Sequence, residues 1–515
     1  MSQPPLLVVG MHRSGTSLLA RMLQQRGLHL GDDLVPADQH NPDGYGEDKR
    51  FVAFHRHILS QATPPAPEAW LDWGWSSAGA FHCADPHAAP WLRALRPAAE
   101  GLLERSRREQ PWGWKDPRTT LLLPFWEALE PEAWVIGIYR HPWEIVDALQ
   151  RLRPPVFLTN PHWALPIWLH YNQALLERWQ RHPQRTVLLN SGALIAQPAA
   201  LGSVLARRLG WAWSAHAGEQ LAALRRPDLH RSPPTADALP LLHRLVSPES
   251  TALLEALERS ADLPVGLPPL QPERLAVLQA QPAASPRLAV VIPTFNQGDL
   301  LVEAVASVER EAARSGCAPS LELQIVDDGS NQSRSLQVLD RLQALGYRVL
   351  SQRNHGLSAA RNAGIRATTA PLLLPLDDDN RLLAPYLSQG LAWLERQPNL
   401  AVVYGDRQEF GLREGLVCVG VDAPRALLLQ SRIDACALLR REWWQAAGGY
   451  DQGLTAFEDW DLWLGILRQG GRFGYLPGPA FCYRVRPNSM LQRHLIRQSQ
   501  ASDQLCKIRI KALEQ

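Results

Sequence analysis

At 515 residues, 45% apolar and 20% charged, the chain is too long for one hydrophobic core and has the composition of globular domains, so two or more domains are expected. A formal net charge of +2 leaves no concentrated basic face, which argues against a nucleic-acid partner. Cys83, Cys317, Cys418, Cys436, Cys482 and Cys506 are scattered without a CxxC or Cys/His cluster, which excludes a zinc site or a disulfide framework and fits a reducing cytoplasm.

The opening MSQPPLLVVGMHRSG lacks a basic n-region and a cleavage site, so it is expected to be a strand rather than a signal peptide. No apolar run is long enough to cross a bilayer, and any membrane association is expected to be peripheral, at the inner face. Leu6 to Gly10 is a short apolar strand running into Met11-His12-Arg13-Ser14-Gly15-Thr16-Ser17, with a helical pattern through Leu18, Leu19, Met22 and Leu23. Strand, small-residue turn and helix start aim backbone N–H groups at one point, a geometry that suits a phosphate. No Gly-Lys-Ser/Thr occurs, so Arg13 would supply the charge. Trp114-Lys115-Asp116-Pro117-Arg118 sets two cations beside a turn, and the apolar strand Trp134 to Tyr139 ends in Arg140-His141-Pro142, where ligands of open α/β sheets bind.

These segments resemble the sulfotransferase family, which uses 3′-phosphoadenylyl sulfate (PAPS), over residues 5 to 215. HRSGTSLL is similar to the family's 5′-phosphosulfate loop and YRHPWEIVDAL to its 3′-phosphate segment. The resemblance implies that Arg13, Ser14, Gly15, Thr16 and Ser17 hold the 5′ side of PAPS and Arg140 the 3′-phosphate. It also implies a serine eight residues past Arg140, where this chain has Ala148; losing one hydrogen bond to a charged group costs about 1.5 to 3 kcal/mol. Glu47 is similar in placement to the glutamate that deprotonates the acceptor in some members, with His12 as the second candidate and a surface carboxylate or turn histidine as the plain alternatives. Trp70, Trp73 and Trp75 are either core residues or a platform for sugar rings.

Residues 200 to 262 read as helices packed on the first domain, interrupted at Pro233-Pro234. Six prolines between Leu263 and Pro286 read as an interdomain linker. Beyond it strands and helices alternate: strand Leu288–Pro293, helix through Leu300, Leu301, Ala304, Val305 and Val308, strand Leu321–Val326 ending in Asp327-Asp328-Gly329-Ser330, helix Arg334–Leu345, strand Tyr347–Leu350, and a loop and helix over NHGLSAARNAG. The fourth strand is PLLLPLDDDN, an apolar run closed by Asp377, Asp378 and Asp379. Three adjacent carboxylates repel one another unless a cation or polar partners hold them, although an isolated acidic turn is the plain reading. A strand at Cys436–Arg440, a helix at Glu442–Ala447, and Phe457-Glu458-Asp459-Trp460-Asp461 opening a further helix complete the order.

IPTFN, VDDGS, NHGLSAARNAG and LPLDDDN in this order resemble the family 2 glycosyltransferases of GT-A fold, over residues 287 to 490. The resemblance implies that Phe295 and Asp328 contact the nucleotide base, that Asp377 and Asp378 serve the ribose side, and that Asp379 binds Mg²⁺ or Mn²⁺ on the diphosphate of a nucleotide sugar. It further implies that Asp459 is the base for an inverting single displacement; helix-dipole capping is its plain alternative. A histidine is frequent in the family where Arg486 stands; arginine cannot bind a metal, so Arg486 is expected to meet the diphosphate.

The expectation is an α/β protein of two domains: a P-loop-like parallel-sheet sulfotransferase-type domain at 1–262, a linker at 263–286, a Rossmann-like GT-A domain at 287–490 and a helical tail at 491–515. The expected function is metal-dependent sugar transfer to a glycan or glycolipid joined to PAPS-dependent sulfation, with a non-catalytic first domain that binds acceptor or partner as the alternative.

Overall fold

A strand whose side chains are apolar on both faces must be covered on both, and Leu6–Val9 (β1) is buried throughout. In the computed structural model, which describes residues 3–39, 41–82, 90–211, 223–224, 237–280 and 285–487, the chain divides into two units. Met1–Pro233 groups with Pro248–Pro268, and Pro234–Ser247 with Pro269–Gln515.

In the first unit β1 leads into helix α1 (Thr16–Gln24) and, later, α2 (Lys49–Ala62). Strands β2 (Gly113–Lys115), β3 (Trp134–Tyr139) and β4 (Thr186–Asn190) complete a parallel sheet of order β2-β1-β3-β4, with α3 (Pro142–Leu152) and α4 (Ala164–Arg181) between β3 and β4. Both β2 and β3 flank β1, so the outgoing connections of β1 and β3 diverge and a crevice opens at their carboxyl ends. Gly10 lies in that crevice at φ 141°, and a Cβ there would sit 2.1 Å from the Ile138 carbonyl oxygen. Only glycine permits so close an approach.

In the second unit the order is β5 (Leu288–Thr294), α5 (Gly298–Ser315), β6 (Leu321–Asp327), α6 (Ser333–Leu345), β7 (Arg348–Ser351), α7 (Leu357–Arg366) and β8 (Leu372–Pro375). These strands run parallel in the order β7-β6-β5-β8. Beyond β8 the sheet continues with β12 (Leu438–Arg440), β10 (Leu400–Gly411), β13 (Arg472–Val485) and β9 (Arg381–Leu382), while β11 (Gly415–Val417) pairs with β10. Thr294 and Ser351 are both level with Asp327, so β5, β6 and β7 end together. The strand order reverses between β5 and β8, and Asp377–Asp379 emerge beside Phe295 at that point. The α/β class and the run of strands from Leu288 to Pro375 follow the sequence expectation closely.

The packing departs from the expected boundaries in two places. Helix Ala238–Val246 was expected on the first domain, but Leu241, Leu242 and Val246 join the core of the second unit with Leu301 and Val305. Asp237 at its start meets Arg310 at 2.9 Å. The proline-rich stretch is likewise not a free linker. Leu263 bridges to Leu189 of β4, whereas Leu275 is fully buried in the second unit, where Glu309 accepts from the N–H of Val277 at 2.7 Å. The expected tail at 491–515 and the segment Asn488-Ser489-Met490 lie outside the described residues.

Glu303 on α5 takes Arg381 and Arg484 together, each Nη2 at 2.5 Å from Oε2, with Arg484 nearly fully buried. Removing the shared carboxylate strands two cations, a loss of about 3–5 kcal/mol. Glu303→Leu is therefore expected to lower the urea midpoint of the second unit's unfolding transition markedly; an unchanged midpoint would show that the cluster does not hold the sheet.

Candidate active sites

The crevice of the first unit is built around a turn that needs unusual backbone. Arg13 has φ 70° and Gly15 φ 98°, which turns the chain from β1 into α1 and leaves the helix N-terminus open. Asp48 caps α2 by accepting from the Arg50 N–H at 2.8 Å, and so fixes Glu47 just ahead of it. Glu47 is buried, with Lys115 Nζ at 2.5 Å from Oε1 and Arg118 at 3.7 Å from Oε2. Lys115 also donates to Ser17 Oγ at 3.3 Å, which joins the end of β2 to the start of α1.

Behind these groups runs a buried relay. Trp126 Nε1 donates to His55 Nε2 at 2.9 Å, so His55 presents Nδ1–H to Asp116 Oδ2 at 2.8 Å, and Asp116 Oδ1 accepts from Arg118 at 3.0 Å. Burial penalises the Asp116 carboxylate, yet Arg118 and His55 prevail and hold its pKa well below the usual range. His12 stacks on Trp73 with ring centroids 4.0 Å apart, and Trp73 stacks on Trp70 at 3.8 Å. Burial and then Arg118 push the His12 pKa well down, so the ring is neutral, and its Nε2 is buried without a hydrogen-bond partner. Ser14 Oγ is buried and unpartnered too. Across the crevice Arg140 donates to Glu144 Oε2 at 3.0 Å and to the Arg13 carbonyl at 3.4 Å. Ala148 is buried on the same helix.

The second unit gathers carboxylates around arginines. Asp377 Oδ1 and Glu458 Oε1 each lie 2.6 Å from the two arms of Arg361, a fully buried residue on α7 stacked over Tyr450. Burial opposes the charge of Arg361, but Asp377 and Glu458 outweigh it and raise its pKa. Asp378 is buried, and that burial, with Asp379 beside it, pushes its pKa up to about 8. Asp379 is raised by burial and relieved by Arg486, whose Nη2 is 2.7 Å from Oδ2. Asp459 opens helix α11 (Glu458–Arg468), reached through Phe457 at φ 63°, and accepts from the Trp460 N–H at 2.7 Å. Burial, then Glu458 and Asp434, push its pKa well up. Asp434 is itself raised to about 6 by burial and Asp377.

Asp328 stands apart from this cluster. Its carboxylate accepts from Gln352 at 2.7 Å, from the His355 N–H at 3.0 Å and from the Gly356 N–H at 2.8 Å, tying down the loop that leads into α7. Phe295 is 42% exposed at the end of β5. Among the described residues no three His, Cys, Asp or Glu side chains form a ready metal cage.

The sulfotransferase family model matches residues 4–215, and the glycosyl transferase family 2 model residues 289–418. Two successive parts of the chain thus match two different transferase families. Similar proteins include an uncharacterized glycosyltransferase of Haemophilus influenzae, 24% identical over 191 residues, which are 35% of this chain and 62% of that protein. The succinoglycan biosynthesis protein ExoU of Rhizobium meliloti is 26% identical over 235 residues, 41% of this chain and 66% of its own length. Chondroitin synthase of Escherichia coli is 25% identical over 191 residues, 36% of this chain and 27% of its own. The chain thus spans between 27% and 66% of these relatives. Among solved structures, the mannosyltransferase PcManGT of Pyrobaculum calidifontis aligns with 43% of this chain and 64% of its own at 19% identity, with a TM-score of 0.34.

In the second unit the sequence had singled out Asp377, Asp378, Asp379, Asp459 and Arg486; the fold sets the first three after β8, pairs Asp379 with Arg486, and ties Asp377 through Arg361 to Glu458 beside Asp459. Asp434 and the bridging role of Arg361 were not foreseen: Asp434 sits in no acidic run, and Arg361 was quoted only within NHGLSAARNAG. In the first unit Lys115 and Arg118 prove to be the direct partners of Glu47, and His55 had no signal at all. Arg361 is the test of this geometry. Arg361→Met is expected to destabilise the protein by about 3–5 kcal/mol by leaving two buried carboxylates unpaired, and Arg361→Lys to recover only part, because an ammonium cannot fork between them. Thermal denaturation of the three proteins checks the order.

Proposed function

We propose that the second unit transfers a sugar, with inversion, from a nucleotide sugar to a hydroxyl of a glycan or glycolipid. The observation that carries this reading is the acidic run Asp377–Asp379 at the switch point between β5 and β8, where Arg361 ties Asp377 to Glu458, the neighbour of Asp459, and Arg486 holds Asp379. Phe295 offers an exposed face to the nucleotide base. Asp328 holds its loop with three donors and keeps acceptor capacity for the base. Asp377 and Asp378 face the ribose side.

Asp379 supplies oxygen donors, the type a hard divalent cation takes, and one carboxylate suffices when phosphate and water complete the shell. The buried, unpartnered Nε of Arg486 beside Asp379 marks the same spot as one awaiting an anion. Mg²⁺ or Mn²⁺ held there would neutralise charge on the departing diphosphate. Asp459 takes the proton of the acceptor hydroxyl as the acceptor oxygen bonds to the anomeric carbon and the bond to the diphosphate breaks. Burial makes Asp459 a stronger base than an exposed aspartate, at the cost of a higher pH for ionisation.

Asp459→Asn and Asp379→Ala are expected to lower transfer by at least about a hundredfold with the fold intact. A raised pKa means that the base is protonated and inactive below that value. The acid limb of kcat/KM should therefore lie above the roughly 4 of a free aspartate. A limb at the ordinary position, or full activity in Asp459→Asn, would remove Asp459 from the mechanism.

For the first unit we propose PAPS-dependent sulfation. Ser14 Oγ and the open start of α1 would receive the 5′-phosphosulfate with Arg13 and Ser17, Arg140 the 3′-phosphate, and Glu47 the acceptor proton. Glu47 Oε2 stands 3.7 Å from Arg118, beyond hydrogen-bond distance. A second reading, a non-catalytic module that binds acceptor or partner, is favoured by Glu144, which already holds Arg140, and by Ala148. Calorimetry with 3′-phosphoadenosine 5′-phosphate separates the two. Binding that is lost in Arg140→Ala and strengthened in Ala148→Ser, by about tenfold for one hydrogen bond to a charged group, supports the enzyme; no binding supports the module.

A further inference from the structure

Arg486 lies just past the end of β13 and spans the crevice of the second unit. Its Nη2 holds Asp379 Oδ2 at 2.7 Å, its Nη1 donates to Gln297 Oε1 at 3.1 Å, and its Nε is buried without a partner. Gln297 follows β5 and precedes α5, while Asp379 follows β8, so one guanidinium bridges the two loops that flank the switch point. The neighbouring Arg484 is pinned from behind by Glu303 at 2.5 Å, and its Nε donates to the Asp379 carbonyl at 3.1 Å. The strand end is thus anchored, whereas Arg486 is held through its tip alone.

A guanidinium held on Asp379 Oδ2 weakens that carboxylate's hold on a divalent cation. Both are positive, and each neutralises the charge that attracts the other. A diphosphate changes this balance, because it offers Arg486 a planar pair of oxygens and brings negative charge of its own.

We propose that Arg486 gates Asp379: the guanidinium occupies the carboxylate until a nucleoside diphosphate draws it away, so that the divalent cation binds together with the nucleotide and scarcely without it. This rests on the reading of Asp379 as the cation's ligand. The coupling is reciprocal: the nucleotide must raise cation affinity by the factor by which the cation raises nucleotide affinity.

The test measures binding rather than turnover. Free Mn²⁺ is followed by electron paramagnetic resonance as the full chain is titrated, alone and with saturating UDP or GDP, for the native protein, Arg486→Gln, Arg486→Lys and Asp379→Ala. The native protein is expected to bind Mn²⁺ about 100-fold more tightly with one of the nucleotides than alone. Arg486→Gln should bind Mn²⁺ alone at least about tenfold more tightly than the native protein and lose most of the coupling, while Arg486→Lys, which keeps the charge, should retain part of it. Equal Mn²⁺ affinity of the native protein with and without nucleotide, or an Arg486→Gln protein that melts normally yet binds Mn²⁺ as the native one does, overturns the gate. An Asp379→Ala protein that binds Mn²⁺ and nucleotide as the native one does overturns the reading of Asp379 itself, and the gate with it.

Discussion

Negative charge drawn together in a dry place is the constraint on which the second unit depends. Asp377, Asp378, Asp379, Asp434, Glu458 and Asp459 come from three separate stretches of chain, and burial works against the charge of Asp378, Asp379, Asp434 and Asp459. What makes the arrangement tenable is Arg361, whose two arms reach Asp377 and Glu458 at 2.6 Å. That fork ties the loop after β8 to the start of α11 and so sets where Asp459 stands relative to Asp379. The compensation is partial. Asp378, Asp434 and Asp459 keep raised pKa values, which means that the site still has room for positive charge.

The first unit meets the same constraint with the signs alternating. Trp126, His55, Asp116, Arg118, Glu47, Lys115 and Ser17 form one chain of donors and acceptors running from the core to the start of α1. Each charge has an opposite neighbour, so the relay is rigid, and its exposed end is the phosphate-type turn. Glu47 is held by cations on both sides. Arg140 lies on the far wall with a carboxylate of its own, Glu144, which any incoming phosphate would have to displace.

The order of elements from Leu288 to Pro375 was legible because β5 and β8 are nearly unbroken apolar runs, β6 and β7 set Leu, Ile and Val among polar residues, and polar clusters follow the strands; parallel strands announce themselves this way. Acidic clusters following two such runs also marked the sheet edge at which the site lies. The partners of those acids were illegible for a physical reason. Arg361 and His55 reach their contacts across 16 to 97 positions of chain, a separation that local pattern does not encode. Helix Ala238–Val246 was misplaced for a related reason: its apolar face is evident, but nothing local says which core it covers.

Backbone strain offers an independent view of where the two units concentrate their function. Among the described residues, Arg13, Arg153, Asn296 and Phe457 are the non-glycine positions with positive φ. Arg153 closes helix α3, an ordinary place for a left-handed residue. The other three lie in the turn after β1, the turn after β5 and the entry to α11, which are the loops that bear Ser14, Phe295 and Asp459. A left-handed conformation at a bulky residue costs about 1–3 kcal/mol and persists only where the surroundings over-determine it. In each case the strained residue changes the direction of the chain at the carboxyl edge of a sheet or at the start of a helix, within two positions of a candidate site residue. The two segments share no sequence pattern at these points. The shared placement of strain therefore follows from the common architecture, an open parallel sheet whose ligands can be reached only over the ends of its strands.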